Sequence, residues 1–197
     1  GALLHTLNHS LFKSLLFYCA GNVYQAIHTM DIESMGGLLK RMPRSGYLFL
    51  IGSLAICGLP PFNGFVSEFF IYTGLFSALL SNHFLFTLFI LFAIFGLVLI
   101  GGLALMCFTK AFGIVFLGTP RKKFDDGLVE EKPLKIFPMY LVALAIVVIG
   151  ILPLIFMPAV QKIVQLYQPG AAVFTSVQLK SILDILSSVG WYSLGFI

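Results

Sequence analysis

Charge is what this sequence has least of. Lysine, arginine, aspartate and glutamate make up 10% of its 197 residues, against about 25% in a soluble globular domain. That excludes a soluble protein with a large core, because there is too little polar surface to cover one. Cysteine is also scarce. Cys19, Cys57 and Cys107 all fall in apolar text, do not pair by spacing and form no metal motif. All three are expected as small buried hydrophobes. No basic start leads into a short apolar core and a cleavage site, so no signal peptide is visible. The chain opens on Gly1 rather than methionine, and both ends lie in apolar or helical text. A segment of a longer protein is expected.

What is present is apolar: 59% of the residues are hydrophobic, and 21 are phenylalanine. The apolar runs exceed the roughly 20 residues needed to cross a bilayer. The expected fold class is all-α, a polytopic transmembrane helix bundle of about four spans with one broken helix. The spans are read at 2–27, 47–80, 84–117 and 136–160. The second is interrupted at Pro60–Pro61, and the third is long enough that it must tilt or protrude. Ser81–His83 reads as a tight turn, "YQPGAA" as another. Residues 173–197 alternate polar and apolar positions at helical spacing, as an interfacial helix or the start of a further span. The expected division is residues 1–160 as the bundle and 161–197 as an amphipathic or additional transmembrane helix.

The basic residues set an orientation. Lys40, Arg41 and Arg44 lie in the first connector, and Arg121, Lys122, Lys123, Lys132 and Lys135 in the third; the turn between has none. By the positive-inside bias both basic connectors are expected in the cytoplasm. Placed in loops, this basic balance points to no nucleic-acid partner.

Within the four spans only Lys13, Glu68 and Lys110 are charged. Ionisable groups at membrane depth are costly and by default mark ion paths or relays. In "HTLNHSLFK", His5, His9 and Lys13 are spaced i, i+4, i+8 and share one helix face. Imidazole exchanges protons near neutral pH through either nitrogen, and a lysine deprived of water is brought toward neutrality. Such a stripe serves either as a proton relay or as a polar seam between helices. Two histidines leave a metal site short of ligands, and no metal is expected.

"GLPPFNGFVSE" breaks the second span. Pro60 and Pro61 lack N–H groups, while Gly58 and Gly64 let the backbone bend. Broken backbone at membrane depth survives only inside protein or beside a wet cavity, and transporters place it at ion sites. Glu68 falls about one turn after the break, with Asn63 and Ser67 as nearby polar groups. The alternative is a structural kink whose acid pairs with a neighbour's lysine. Lys110, eight residues before Gly118, either joins a path or snorkels to the interface.

In order and spacing, "HTLNHSLFK", "MDIESMGGLLKRMP", "GLPPFNGFVSEFFIY" and "TKAFGIVFLG" together resemble the second half of the antiporter-like proton-conducting subunits. That family includes large membrane subunits of respiratory complex I, Mrp sodium/proton antiporters and the membrane arms of group 4 hydrogenases. The resemblance covers roughly residues 1–160. "LPPFNGFVSE" and "KAFGIVFLGTPR" look most like the hydrogenase branch. It implies two inverted five-helix repeats, each with a broken helix, of which "GLPPFNGF" is the second. It implies that His5, His9 and Lys13 lie on a central hydrophilic axis. Family members carry lysine or glutamate at the Glu68 position. The first repeat has no counterpart here, so only part of a path is expected. The family's subunits hold no cofactor of their own.

The function expected from this resemblance is proton translocation in a redox-driven complex of hydrogenase or NADH-quinone oxidoreductase type. The redox chemistry would sit in partner subunits, membrane-bound and peripheral. The expected location is the cytoplasmic membrane of a bacterium or archaeon. Two alternatives stand beside it: an Mrp-type sodium/proton antiporter subunit, and a helical scaffold that conducts nothing.

Overall fold

A computed structural model describes residues 1–79, 83–121, 130, 132–167 and 176–195. Every helix that passes one turn in length is α: α1 (Ala2–Ile27), α2 (Pro43–Ile56), α3 (Asn63–Ala78), α4 (Phe84–Phe116), α5 (Pro133–Ile151), α6 (Pro153–Tyr167) and α7 (Ser176–Leu194). Among the described residues there is no strand. α1 runs the length of the first apolar segment and stops at His28, which turns left-handed at φ 52° and returns its N–H to the Tyr24 carbonyl. α2 and α3 are the two halves of the second span. α4 and α5 are each long and apolar enough to cross a membrane.

The fourth span differs from the reading 136–160. It divides at Leu152 into α5 and α6. Pro153 has no N–H to continue α5 and bars its predecessor from helical backbone; Leu152 sits at φ −119°, ψ 57°. Proline then serves well as the first residue of α6. The expected boundary at residue 160 falls inside α6. Lys122 and Lys123, residues 81–82 of the expected turn and residues 168–172 of "YQPGAA" lie outside the described residues.

The two basic connectors meet. Gly37 donates its N–H to the Leu117 carbonyl at 2.8 Å, and the Arg121 guanidinium donates to the Met35 carbonyl at 3.2 Å. α1 and α4 therefore run toward one end of the bundle, and α2 and α5 leave from it. Glu130 closes this end: its carboxylate accepts N–H bonds from Ser45 at 2.6 Å and Arg44 at 3.3 Å. Those are among the N–H groups that a helix start leaves without intrahelical partners. Glu130→Ala is expected to lower stability by about 1 kcal/mol, a typical cap contribution. A depressed thermal midpoint of the purified protein would report it; an unchanged midpoint would mean that the cap carries no weight.

Three apolar clusters hold the helices. Phe12, Leu15 and Cys19 of α1 meet Leu48 and Ala55 of α2 and Ile146 of α5. Leu4, Val66 and Phe70 pack with Leu179, Leu183 and Leu186 of α7. Val23, Met42 and Phe116 close the basic end. α4 is different, because none of its most apolar stretch is buried within the chain. Cys107 on it is exposed, unlike the buried Cys19 and half-buried Cys57. In a bilayer an apolar helix face needs no protein cover, so apolarity alone does not bury a residue.

Candidate functional site

The break in the second span is built by glycine before proline acts. α2 ends in a Schellman motif: Leu59 N–H bonds to the Leu54 carbonyl and Gly58 N–H to the Ala55 carbonyl, each at 3.2 Å. The motif needs a left-handed residue, and Gly58 supplies it at φ 65°. Pro60 and Pro61 follow, where a helix cannot resume, and the peptide between them is cis. α3 starts at Asn63.

Three close approaches fix this segment. A Cβ on Gly64 would overlap the Ala55 carbonyl oxygen, so α3 lies directly on the last turn of α2. A Cβ on Gly150 would overlap the Pro61 carbonyl oxygen and come within 2.7 Å of the Phe62 carbonyl carbon, so α5 presses on the break itself. The Glu68 carboxyl packs against Gly58; a Cβ there would overlap it, with the carboxyl carbon at 2.9 Å. Glu68 thus stands between the carbonyl end of α2 and the amide end of α3, two helix-dipole ends of opposite sign. Among the described residues none forms an ion pair with it.

Polar groups are buried around the same point. Asn8, Asn63 and Ser67 are each 0% exposed and Ser53 4%. Asn8 Nδ2 donates to the Asn63 carbonyl at 2.8 Å, which ties α1 to the start of α3. Asn8 Oδ1, Ser53 Oγ and both amide atoms of Asn63 have no partner among the described residues. A buried polar atom without a partner carries a desolvation penalty of about 1–3 kcal/mol. Four around one break mark a polar cluster in an apolar bundle, with donors and acceptors mixed. His5 Nδ1 lies 3.0 Å from Ser67 Oγ, and that hydroxyl is also 3.0 Å from the Gly64 carbonyl oxygen. While Ser67 donates to Gly64, His5 carries its proton on Nδ1 and offers Nε2 as acceptor. Rotation of the hydroxyl toward Nδ1 reverses the roles.

The residues singled out from sequence divide into two groups. Gly58, Pro60, Pro61, Asn63, Gly64 and Glu68 come together at the break, and His5 joins them through Ser67. His9, Lys13 and Lys110 do not. His9 is exposed with its ring 6.1 Å from that of His5. Lys13 is half-buried on the flank of α1 and Lys110 exposed on α4. None of the three makes a hydrogen bond or ion pair among the described residues. Sequence reasoning missed Asn8 and Ser53. Asn8 had a signal: it interrupts the core positions Leu4, Phe12, Leu15 and Cys19, where an unpartnered amide has no place. Among the described residues no cluster of His, Cys, Asp or Glu suits a metal ion.

Residues 1–97 match the family described as NADH:quinone oxidoreductase/Mrp antiporter, transmembrane. Hydrogenase-4 component B of Escherichia coli K12 is 40% identical over 181 residues, 91% of this chain and 27% of that protein. Formate hydrogenlyase subunit 3 of the same organism is 45% identical over 123 residues, 62% of this chain and 20% of that protein. These two fall in the hydrogenase branch that the motif around Asn63 resembles. Na(+)/H(+) antiporter subunit A1 of Staphylococcus saprophyticus is 35% identical over 157 residues, 78% of this chain and 19% of that protein. The chain spans about a quarter or less of the length of these relatives. The match takes in α1, the break, α3 and the start of α4, and over residues 1–97 this all-α integral membrane chain belongs to the antiporter-like family of NADH:quinone oxidoreductase and Mrp membrane subunits.

Proposed function

We propose that the chain forms part of a proton path in a membrane subunit of a redox-driven complex, of hydrogenase or NADH-quinone oxidoreductase type. The observation that carries this is the interrupted helix α2/α3, where buried amide atoms of Asn8 and Asn63 and the Ser53 hydroxyl, unpartnered among the described residues, adjoin a Glu68 carboxyl that has no ion pair among them. A purely structural kink has no use for either. In this reading Glu68 takes up and releases the proton. Ser67 and His5 pass it by hydroxyl rotation and tautomer exchange, and Asn8 and Asn63 hold the water between. His9 and Lys13 continue the line along the outer flank of α1, where another part of the subunit covers them. Lys110 is the remaining candidate, on α4.

Residues 1–160 carry the path, and 161–197 add α7 and the end of α6 against it. Partner membrane and peripheral subunits hold the redox centres, and this chain supplies no cofactor. The complex sits in a bacterial or archaeal cytoplasmic membrane with the basic end of the bundle inward. The Staphylococcus saprophyticus relative favours a second reading, a sodium/proton antiporter subunit.

One experiment separates these readings. Closed vesicles bearing the assembled complex are driven through redox turnover in sodium-free medium, with a pH-sensitive dye. Proton uptake is expected, and Lys13→Ala should reduce it severalfold without loss of electron transfer. Uptake that requires sodium would favour the antiporter. Electron transfer without any uptake, in sodium or without it, would leave a scaffold.

A further inference from the structure

An open groove of about 570 Å³ runs between α2 and α5 on the outside of the bundle. Arg44, Tyr47 and Ile51 line one wall, and Tyr140, Leu144 and Val147 the other. Both helices leave the basic end in the same direction, so the groove runs along the membrane-spanning direction. Arg44 to Ile51 covers seven residues, about 10 Å of rise. Its composition is ordered by depth. Arg44 is exposed at the second residue of α2. Tyr47 and Tyr140 come next, 59% and 43% exposed, as tyrosines stand at a headgroup boundary. Below them the walls are wholly aliphatic. Ala143 is small and buried between α2 and α5, which deepens the furrow.

Glu130 spends its carboxylate on the N–H groups of Arg44 and Ser45. Among the described residues the Arg44 guanidinium has no hydrogen bond or ion pair. Lys40 and Arg41 lie at the same end and add to its positive field. A guanidinium without a partner among the described residues, above two tyrosines and a slot of aliphatic side chains, is complementary to a molecule with an anion at one end and a hydrocarbon chain at the other. Guanidinium suits phosphate in particular, since its planar fork donates two parallel hydrogen bonds. Basic pockets between transmembrane helices recognise lipid headgroups in this way.

We propose that the α2/α5 groove is a binding site for one anionic phospholipid, its phosphate on Arg44 and one acyl chain lying along Ile51, Leu144 and Val147. The site is independent of the proton path in its chemistry. It grips α2 at the end opposite Gly58 and the break.

Photo-crosslinking in the assembled complex tests this. Leu144, 59% exposed, is replaced by p-benzoylphenylalanine, and the complex is reconstituted in phosphatidylcholine nanodiscs with increasing phosphatidylglycerol. Irradiation should attach phosphatidylglycerol to the peptide bearing position 144, well above its share of the bilayer. Arg44→Gln should reduce that adduct about fivefold, the effect of one cation at an anionic lipid surface. Lys162→Gln, which removes an exposed cation on α6, should leave it unchanged. A crosslink to a neighbouring polypeptide would overturn the proposal, because the groove would then be a subunit interface. Adducts in bilayer proportion, adducts indifferent to Arg44→Gln, or none at all would overturn it equally.

Discussion

Glu68→Gln in the assembled complex is expected to reduce proton uptake by about a hundredfold, the lower range of what a positioned acid–base group contributes. Subunit content should not change. Glutamine has nearly the shape of glutamate and keeps the contact with Gly58. It also needs no counter-ion, and Glu68 has none among the described residues that its loss could orphan. What glutamine cannot do is take up and release a proton. The two properties therefore separate: packing survives, and relay is lost. Vesicle acidification measured beside electron transfer and subunit stoichiometry reads both. Wild-type uptake in the variant would show that protons bypass the break, and a complex that fails to assemble would show that Glu68 is structural.

The second large effect concerns the glycines that let three backbones touch. Gly64→Ala and Gly150→Ala each place a methyl group on a carbonyl oxygen, of Ala55 and Pro61 respectively. Neither oxygen belongs to a side chain that could rotate away, so a helix must move. Each is expected to cost about 3 kcal/mol, the upper range for overpacking, seen as less protein in the membrane and a lower thermal midpoint. Gly74→Ala and Gly96→Ala are the matched controls. Both glycines lie within helices, and an added methyl group would meet nothing within 4 Å. Alanine there should be neutral or mildly stabilising. If Gly150→Ala behaves like Gly74→Ala, α5 does not press on the break.

The bundle is legible in the sequence wherever apolar text meets polar punctuation. The ends of α1 and the position of the break follow from composition and from glycine and proline alone. The cause of the break is less legible. Two prolines draw the eye, yet the Schellman motif at Gly58 ends α2 before they are reached, because a left-handed residue satisfies the terminal carbonyls first. Pro153 is visible too, but only the backbone of Leu152 shows that it divides a span. The burial of α4 cannot be read, since lipid and protein core select the same side chains. His5, His9 and Lys13 share one face, as their spacing requires, but spacing does not say which face the rest of the bundle covers. Asn8 is easily passed over because it stands between two histidines that suggest chemistry more loudly.

Glu130 and Gly58 mark the two ends of α2, and neither end is slack. One is clamped by a carboxylate from the far connector, the other locked by a tight reverse turn under the weight of α5. Between them runs a rod of 14 residues, about 21 Å long, with no proline beyond its first residue to act as a joint. Mechanically this is a strut. The strut sets the spacing between the Glu130 carboxylate at the basic end and the Glu68 carboxyl at the break.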